Sequence, residues 1–335
     1  MTISAIIIVY NLEKYLEQSI QSVLNQTRCA DEIIIVDDCS TDNSVSIINR
    51  YASSIKYIRQ PYNVGALKNT LCGVKAATGD IIAFLDGDDV WMPQKLEEME
   101  KLFLSDDTMC IASHNHCRVN KNLQLTGVKD ETNLNVERIT GNFSGAEWSD
   151  QFKHSILFRE GYWFGSAYCI RKKYLRIDEF EKIAAKYQHS HWAYLDMTLG
   201  PFIVASNSKL TAGFVNKPLF KYRIHSANSS ACAFTSKALL TSLNRNQYTN
   251  QLTCHLITNY LKDATIIKRY TEMDDEHGLM RLQYEGHKLA AVKKFIAMRI
   301  FLLKQKKLKK ELYRLIITTF LGVKQLSKIK RTYEV

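Results

Sequence analysis

No run of uninterrupted apolar residues in this 335-residue chain approaches the ~18 that a membrane-spanning helix needs. The chain is therefore expected to be soluble or peripheral. A basic leader segment and a small-residue cleavage site are also missing. The opening Ile3-Ser4-Ala5-Ile6-Ile7-Ile8-Val9 has the length of a strand, which argues against a signal peptide. The eight cysteines contain no CxxC pair and are scattered singly, several within apolar runs. They are read as reduced, buried thiols of a cytosolic protein. Internal repeats and low-complexity segments are absent. Acid is in deficit, with 34 Asp and Glu against 45 Lys and Arg and a net charge of +11. That balance points to an anionic partner: nucleic acid, a membrane surface or a phosphorylated substrate. With 46% hydrophobic and 24% charged residues, the composition is that of a folded protein. The length allows one large α/β domain with an appendage.

What is present begins with alternation of β and α patterns. Ala5–Val9, Ile33–Val36, Ile55–Arg59 and Ile81–Leu85 are apolar, β-branched runs of strand length. Between them, apolar residues recur at helical spacing: Leu12, Tyr15, Leu16, Ile20, Val23 and Leu24; Val45, Ile48 and Tyr51; Leu67, Leu71, Val74 and Ala77. Asn11 and Asp42 are candidate N-caps, and Pro93 suits the first turn of the helix carrying Leu96, Met99 and Phe103. Alternating strands and helices predict a mostly parallel sheet, whose ligands sit beyond the carboxyl ends of its strands. Each strand here ends in polar residues: Tyr10-Asn11, Asp37-Asp38 and Asp86-Gly87-Asp88-Asp89. Three separate segments thus deliver polar groups to one sheet edge. The expected organisation is one α/β domain in two halves, residues 1–108 and residues 109–235, the second with short strands, followed by residues 236–335, a helical basic extension.

Two carboxylates one residue apart at a strand end can hold a hard divalent cation, with diphosphate oxygens completing its shell. Asp86 and Asp88 have that spacing, with Gly87 expected to keep the turn open for the phosphates. A carboxylate at the Asp37-Asp38 end can accept from a base N–H or a ribose hydroxyl. His114 and His116 share a strand face but lack a second ligand pair, so they are read as structural. Asp274-Asp275-Glu276-His277-Gly278 reads as a solvated turn between helices.

Taken in order, these landmarks resemble the family 2 glycosyltransferases of the GT-A fold, a Rossmann-like α/β architecture. They are Ala5–Asn11, Ser22–Thr27, Glu32–Asp42, Asn63-Val64-Gly65 with Lys68-Asn69, and Gly79–Trp91. The likeness runs from about residue 3 to 92, and more loosely to about 230. It implies a metal-dependent, inverting transfer of a sugar from a nucleotide-sugar to a hydroxyl. By that likeness Tyr10 would lie against the base, usually uracil, and Asp38 would read its N–H. Asn11, Glu13, Asn63, Lys68 and Asn69 would line the nucleotide and phosphates. Asp86 and Gly87 would lie by the ribose, Asp88 would ligate Mn²⁺ or Mg²⁺, and Asp86 would share that shell. An inverting displacement needs one general base. Asp196, in Tyr194-Leu195-Asp196-Met197-Thr198-Leu199, fits better than Asp150 or Asp178. Tyr222-Arg223-Ile224-His225 is similar to a Tyr-Arg-x-His stretch of bacterial members, which gives Arg223 a phosphate and His225 the metal or pyrophosphate. Trp163-Phe164-Gly165-Ser166 is similar to the loop bordering acceptor and donor sugar, so Trp163, Gly165 and Ser166 are candidate contacts, with Trp192 a further aromatic. The chain departs from the family pattern at Ile8, Cys39, Lys68 and Leu195, where proline, glycine, arginine and glutamate are usual.

The last hundred residues are basic, with lysines and arginines interleaved by Leu289, Val292, Ile296, Ile300 and Leu303, then Leu308, Leu312 and Leu315. Such a helix can lie on an anionic membrane surface; the competing reading is a helical appendage packed on the catalytic domain with its lysines solvated. The expected setting is the inner face of a bacterial plasma membrane, in surface polysaccharide or lipopolysaccharide assembly, acting on a glycan or lipid-linked acceptor. No nucleic-acid partner is expected. Two alternatives remain: a sugar-phosphate nucleotidyltransferase, which would carry a glycine-rich loop after the first strand, and a non-catalytic sugar-binding subunit.

Overall fold

A computed structural model describes residues 1–126, 149–159, 165–187, 193–225, 236–304 and 307–320. The chain divides into two units, one of residues 1–225 and 255–262, the other of residues 226–254 and 263–335. In the first unit, β1 (Ile3–Val9), α1 (Leu16–Leu24), β2 (Glu32–Asp37), α2 (Ser44–Asn49), β3 (Lys56–Arg59), α3 (Ala66–Ala76) and β4 (Ile81–Asp86) alternate. Then come β5 (Val90–Trp91), α4 (Lys95–Leu104), β6 (Met109–Val119), α5 (Ser149–Phe158), β7 (Cys169–Arg171), α6 (Ile177–Ala184), α7 (Asp196–Ser206) and β8 (Thr211–Arg223). The strands form one eight-stranded sheet in the order β3-β2-β1-β4-β7-β6-β8-β5. β1, β2, β3 and β4 pair in parallel. Short β7 runs antiparallel between β4 and β6, and β6 and β8 are parallel. The fold is thus the expected mixed α/β sheet with mostly parallel strands.

β1 lies between two parallel partners, and that is why its apolar run is continuous rather than alternating. Helix α1 buries Leu16, Ile20 and Val23, and α3 buries Leu67, Leu71 and Val74, each at i, i+4, i+7 spacing. Each such side chain contributes roughly 1.5–3 kcal/mol on burial. Asn11 does not cap α1, which starts five positions later at Leu16. It adopts a left-handed φ of 53° and its Oδ1 accepts from the Thr41 N–H at 2.8 Å, tying the β1 end to the β2 end.

Cys39 stands in the same left-handed region, φ 62°. Its Cβ makes that conformation costly, by roughly 1–2 kcal/mol, which gives a physical reason for glycine there. Cys39→Gly should therefore raise stability by up to about 1 kcal/mol, net of the entropy glycine adds to the unfolded chain. Urea unfolding midpoints would show it, and an unchanged or lower midpoint would refute it. The seven described cysteines are all free thiols, but only Cys110 and Cys169 among them are buried, which corrects the expectation of buried thiols.

The second unit holds most of α8 (Ser236–Thr258), then α9 (Ala264–Tyr284), α10 (Lys288–Lys304) and α11 (Leu308–Phe320). Leu279, Met298 and Leu302 form its apolar centre, with Phe295 and Leu308 against them. The acidic stretch at 274–278 is not a turn but lies within α9. Its carboxylates meet lysines of the following segments, Asp275 with Lys294 and Glu276 with Lys307, both at 2.8 Å. Acid placed there neutralises base brought alongside, so periodicity around one isolated segment could not reveal it.

Candidate active site

The carboxyl ends of β1, β2 and β4 lie side by side in the sheet, so their polar endings share one edge. Tyr10 follows β1 with 47% of its surface exposed, an aromatic face left in solvent. After β2, the two aspartates divide. Asp37 is fully buried; it accepts from the Ser40 N–H at 3.0 Å and the Tyr57 hydroxyl at 3.0 Å. Asp38 accepts from the backbone N–H groups of Val64 at 2.6 Å and Gly65 at 3.0 Å, drawing the 63–65 loop to the site. Burial pushes the Asp38 carboxyl up despite those two donors. Glu13 accepts from the Asn43 N–H at 3.0 Å, and Asp42 accepts from the Glu13 N–H at 2.9 Å, which staples the two loops together. Asn63 and Lys68 are exposed, Lys68 in the first turns of α3.

Beyond β4 the acidic turn is packed with charge. Burial, then the neighbouring carboxylates of Asp88 and Asp196, push Asp86 up to about 8. The Asp88 Oδ2 lies 3.0 Å from His225 Nε2, and the His225 ring packs on Tyr15 with centroids 4.3 Å apart. Asp196 opens α7; its Oδ1 accepts from the Met197 N–H at 2.9 Å, and burial raises its carboxyl to about 6. Gly165 lies against both groups. A Cβ there would sit 3.5 Å from Asp86 Oδ2 and 3.9 Å from the Asp196 Cβ. Asp86, Asp88, Asp196, Gly165 and His225 are therefore one cluster. The rival carboxylates Asp150 and Asp178 are exposed in the first turns of α5 and α6.

Several of the expected contact residues have partners within the fold. Asn69 is fully buried, donating to the Val36 carbonyl at 3.0 Å and accepting from Gln60 at 3.2 Å, so it fastens α3 to β2 instead of lining a phosphate. Gly87 is buried, and a Cβ there would stand 2.8 Å from the Ile8 carbonyl and 2.9 Å from Leu12. Close approach to β1 demands that glycine. Ser166 is fully buried, its hydroxyl accepting from the Asp86 N–H at 3.0 Å and donating to Asp89 at 2.7 Å. It braces the acidic turn. Arg223 is 1% exposed. Its guanidinium donates to the carbonyls of Asp88 at 2.6 Å and Lys121 at 3.0 Å, and to Gln18 at 2.7 Å. It holds the turn from behind, with those donors already committed. Trp163 and Trp192 lie outside the described residues.

Two contributors went unnoticed in the sequence. Asp89 accepts from the Arg223 N–H at 2.9 Å as well as from Ser166, joining the ends of β4 and β8. Burial and the adjacent Asp88 and Asp86 push its carboxyl far up. Lys95 is fully buried, its Nζ donating to the Ser166 carbonyl and lying 4.1 Å from the Trp91 ring centroid. Burial lowers the ammonium to about 8. Its place in register with Met99, Leu102 and Phe103 on the apolar side of α4 was the available signal. His114 and His116 are buried, with their rings on Phe220.

Residues 4–160 match the model of glycosyl transferase family 2. An uncharacterized glycosyltransferase of Nostoc sp. is 44% identical over 118 residues, covering 34% of this chain and 36% of that protein. The UDP-Glc:alpha-D-GlcNAc-diphosphoundecaprenol beta-1,3-glucosyltransferase WfaP of Escherichia coli is 37% identical over 133 residues, 38% of this chain and 50% of that protein. The matches thus span a third to a half of the length of these curated relatives. The structure of S. aureus TarS 1-349 in complex with UDP-GlcNAc is similar in fold, with a TM-score of 0.55 at 15% identity over 88% of this chain and 89% of that one. Residues 4–160, just under half of this chain, are thus similar to glycosyl transferase family 2.

Proposed function

We propose that this chain is a glycosyltransferase that moves a sugar from a UDP-sugar to a hydroxyl of a glycan or lipid-linked acceptor, with inversion and with a divalent cation. One observation carries the reading: Asp86, Asp88, Asp196 and His225 converge at the sheet edge beyond β4. The relatives support the donor class, since one is named for UDP-Glc and the fold neighbour holds UDP-GlcNAc. Residues 1–108 then serve the donor, residues 109–235 the acceptor, and residues 236–335 form the helical extension.

The residues fit a hard cation. Among the described residues no group of three or more His, Cys, Asp and Glu is already arranged around a metal position. Yet burial, and then the neighbouring carboxylates of Asp88 and Asp196, drive Asp86 up, and a divalent ion would relieve the crowded negative charge. Asp88, Asp86 and His225 would hold it. Bound there, such an ion supplies neutralisation of charge on the departing diphosphate. The chain does the rest. Tyr10 offers its exposed ring to the base, Asp38 fixes the 63–65 loop beside it, and Lys68 with Asn63 faces the phosphates as a point charge and an amide. Asn11 and Glu13 hold the rim. Asp196 accepts the proton of the acceptor hydroxyl as its oxygen attacks the anomeric carbon and the bond to diphosphate breaks. The setting is the inner face of a bacterial plasma membrane, in envelope polysaccharide assembly.

Thermal melting against a set of nucleotide-sugars with and without Mn²⁺ tests this. A UDP-sugar at about 100 times its Kd should add about 2.7 kcal/mol of stability, and only with Mn²⁺ present. Equal shifts without metal would remove the cation, and no shift with any nucleotide-sugar would remove the donor.

A further inference from the structure

Helix α10 is apolar on two sides. Ala291, Met298 and Leu302 are buried. Leu289, Ile296 and Leu303 recur every seven residues on roughly the opposite side and are 71%, 52% and 64% exposed. Each would be stabilised by leaving water, so a row of them exposed marks an interaction face. Helix α11 repeats the arrangement, with Leu315 buried and Leu312 and Ile316 exposed.

The charge around this row has one sign. Residues 288–314 hold ten Lys and Arg and a single acid, Glu311, which is buried against Arg314 at 2.7 Å. Lys294 and Lys307 are engaged with Asp275 and Glu276. Lys288, Lys293, Arg299, Lys309 and Lys310 are exposed. Lys293 and Arg299 stand three residues before and after Ile296, at the borders of the apolar row.

We propose that the Leu289–Ile296–Leu303 face of α10, with Lys293 and Arg299 beside it, seats the chain on an anionic lipid surface. A seven-residue apolar repeat also suits a coiled coil with a second copy. Pairing two copies through α10 would set Lys293 and Arg299 against the same residues, and the helix contains no acid to answer them. Lipid phosphates supply the missing countercharge, while the leucines and isoleucine enter the acyl boundary. The proposal deepens the location given above. Its test reads lipid binding without turnover, so it fails separately from the transferase reading.

The full chain is sedimented with vesicles of phosphatidylcholine alone and with about one-third phosphatidylglycerol. It should bind only the anionic vesicles, and less at high salt. Ile296→Ser/Leu303→Ser and Lys293→Glu/Arg299→Glu should each weaken binding about tenfold or more, with unchanged melting because these side chains are exposed. Wild-type chain that stays in the supernatant, or variants that bind as well as wild type, would overturn the assignment. So would a dimer in solution that Ile296→Ser/Leu303→Ser dissolves, since that result gives the row to a second copy.

Discussion

Asp196→Asn should lower turnover by about 10²–10⁴-fold, the range a positioned general base contributes, with donor binding and melting temperature retained. The fold survives because the amide oxygen can still accept from the Met197 N–H, the contact the carboxylate makes to open α7 at 2.9 Å. Burial disfavours the charged form of Asp196, raising it to about 6. Above that pH the ionised side chain opposes folding, so a neutral amide relieves a cost and adds none. The same shift sets the pH profile. A base works only when ionised, so the wild-type rate should climb as pH rises through about 6, or lower once a cation sits beside Asp86 and Asp88. It should then level off. The Asp196→Asn variant has no such limb, and its residual rate should be flat across that window. Steady-state rates with a fixed donor and acceptor, read from about pH 5 to 8, decide it. A variant with full turnover moves the base elsewhere.

Much of the site could be read from residue order because it is built from strand ends. A strand buried on both faces must be apolar throughout, so Ile81–Leu85 stands out, and the first polar residues after it must leave the sheet at its edge. Asp86, Asp88 and Tyr10 were legible for that reason. Arg223 and Ser166 lie in the expected neighbourhood, with partners inside the fold that the sequence did not reveal. Sequence shows that a basic or hydroxyl side chain reaches the site, and it does not show how many of its donors the backbone already uses. Arg223 commits donors to Asp88, Lys121 and Gln18, and Ser166 is closed between Asp86 and Asp89. Lys95 escaped for the opposite reason. Charge is read as surface by default, and only the depth of the α4 packing puts this ammonium beneath the acidic turn.

That brace sharpens the second large effect. Asp88→Asn should cost about 10²–10³-fold in turnover, the several kcal/mol a metal contributes to charge stabilisation, and should abolish the Mn²⁺-dependent part of the melting shift. Its backbone carbonyl still accepts from Arg223 Nε at 2.6 Å, and the turn remains tied through Asp89 to Arg223 and Ser166. Geometry of the turn is thus set by Asp89, while the Asp88 side chain is directed to His225. The two aspartates should therefore fail differently. Asp89→Ala leaves the Arg223 N–H and the Ser166 hydroxyl without their acceptor in a buried place, which costs about 1–3 kcal/mol of stability for each unsatisfied group. Asp88→Asn should melt within about 0.5 kcal/mol of wild type yet not respond to Mn²⁺. Melting curves of both variants with UDP-sugar, each with and without Mn²⁺, separate the roles. A Mn²⁺ response that survives in Asp88→Asn would transfer the cation to other ligands, because the brace that shapes the turn would still be intact.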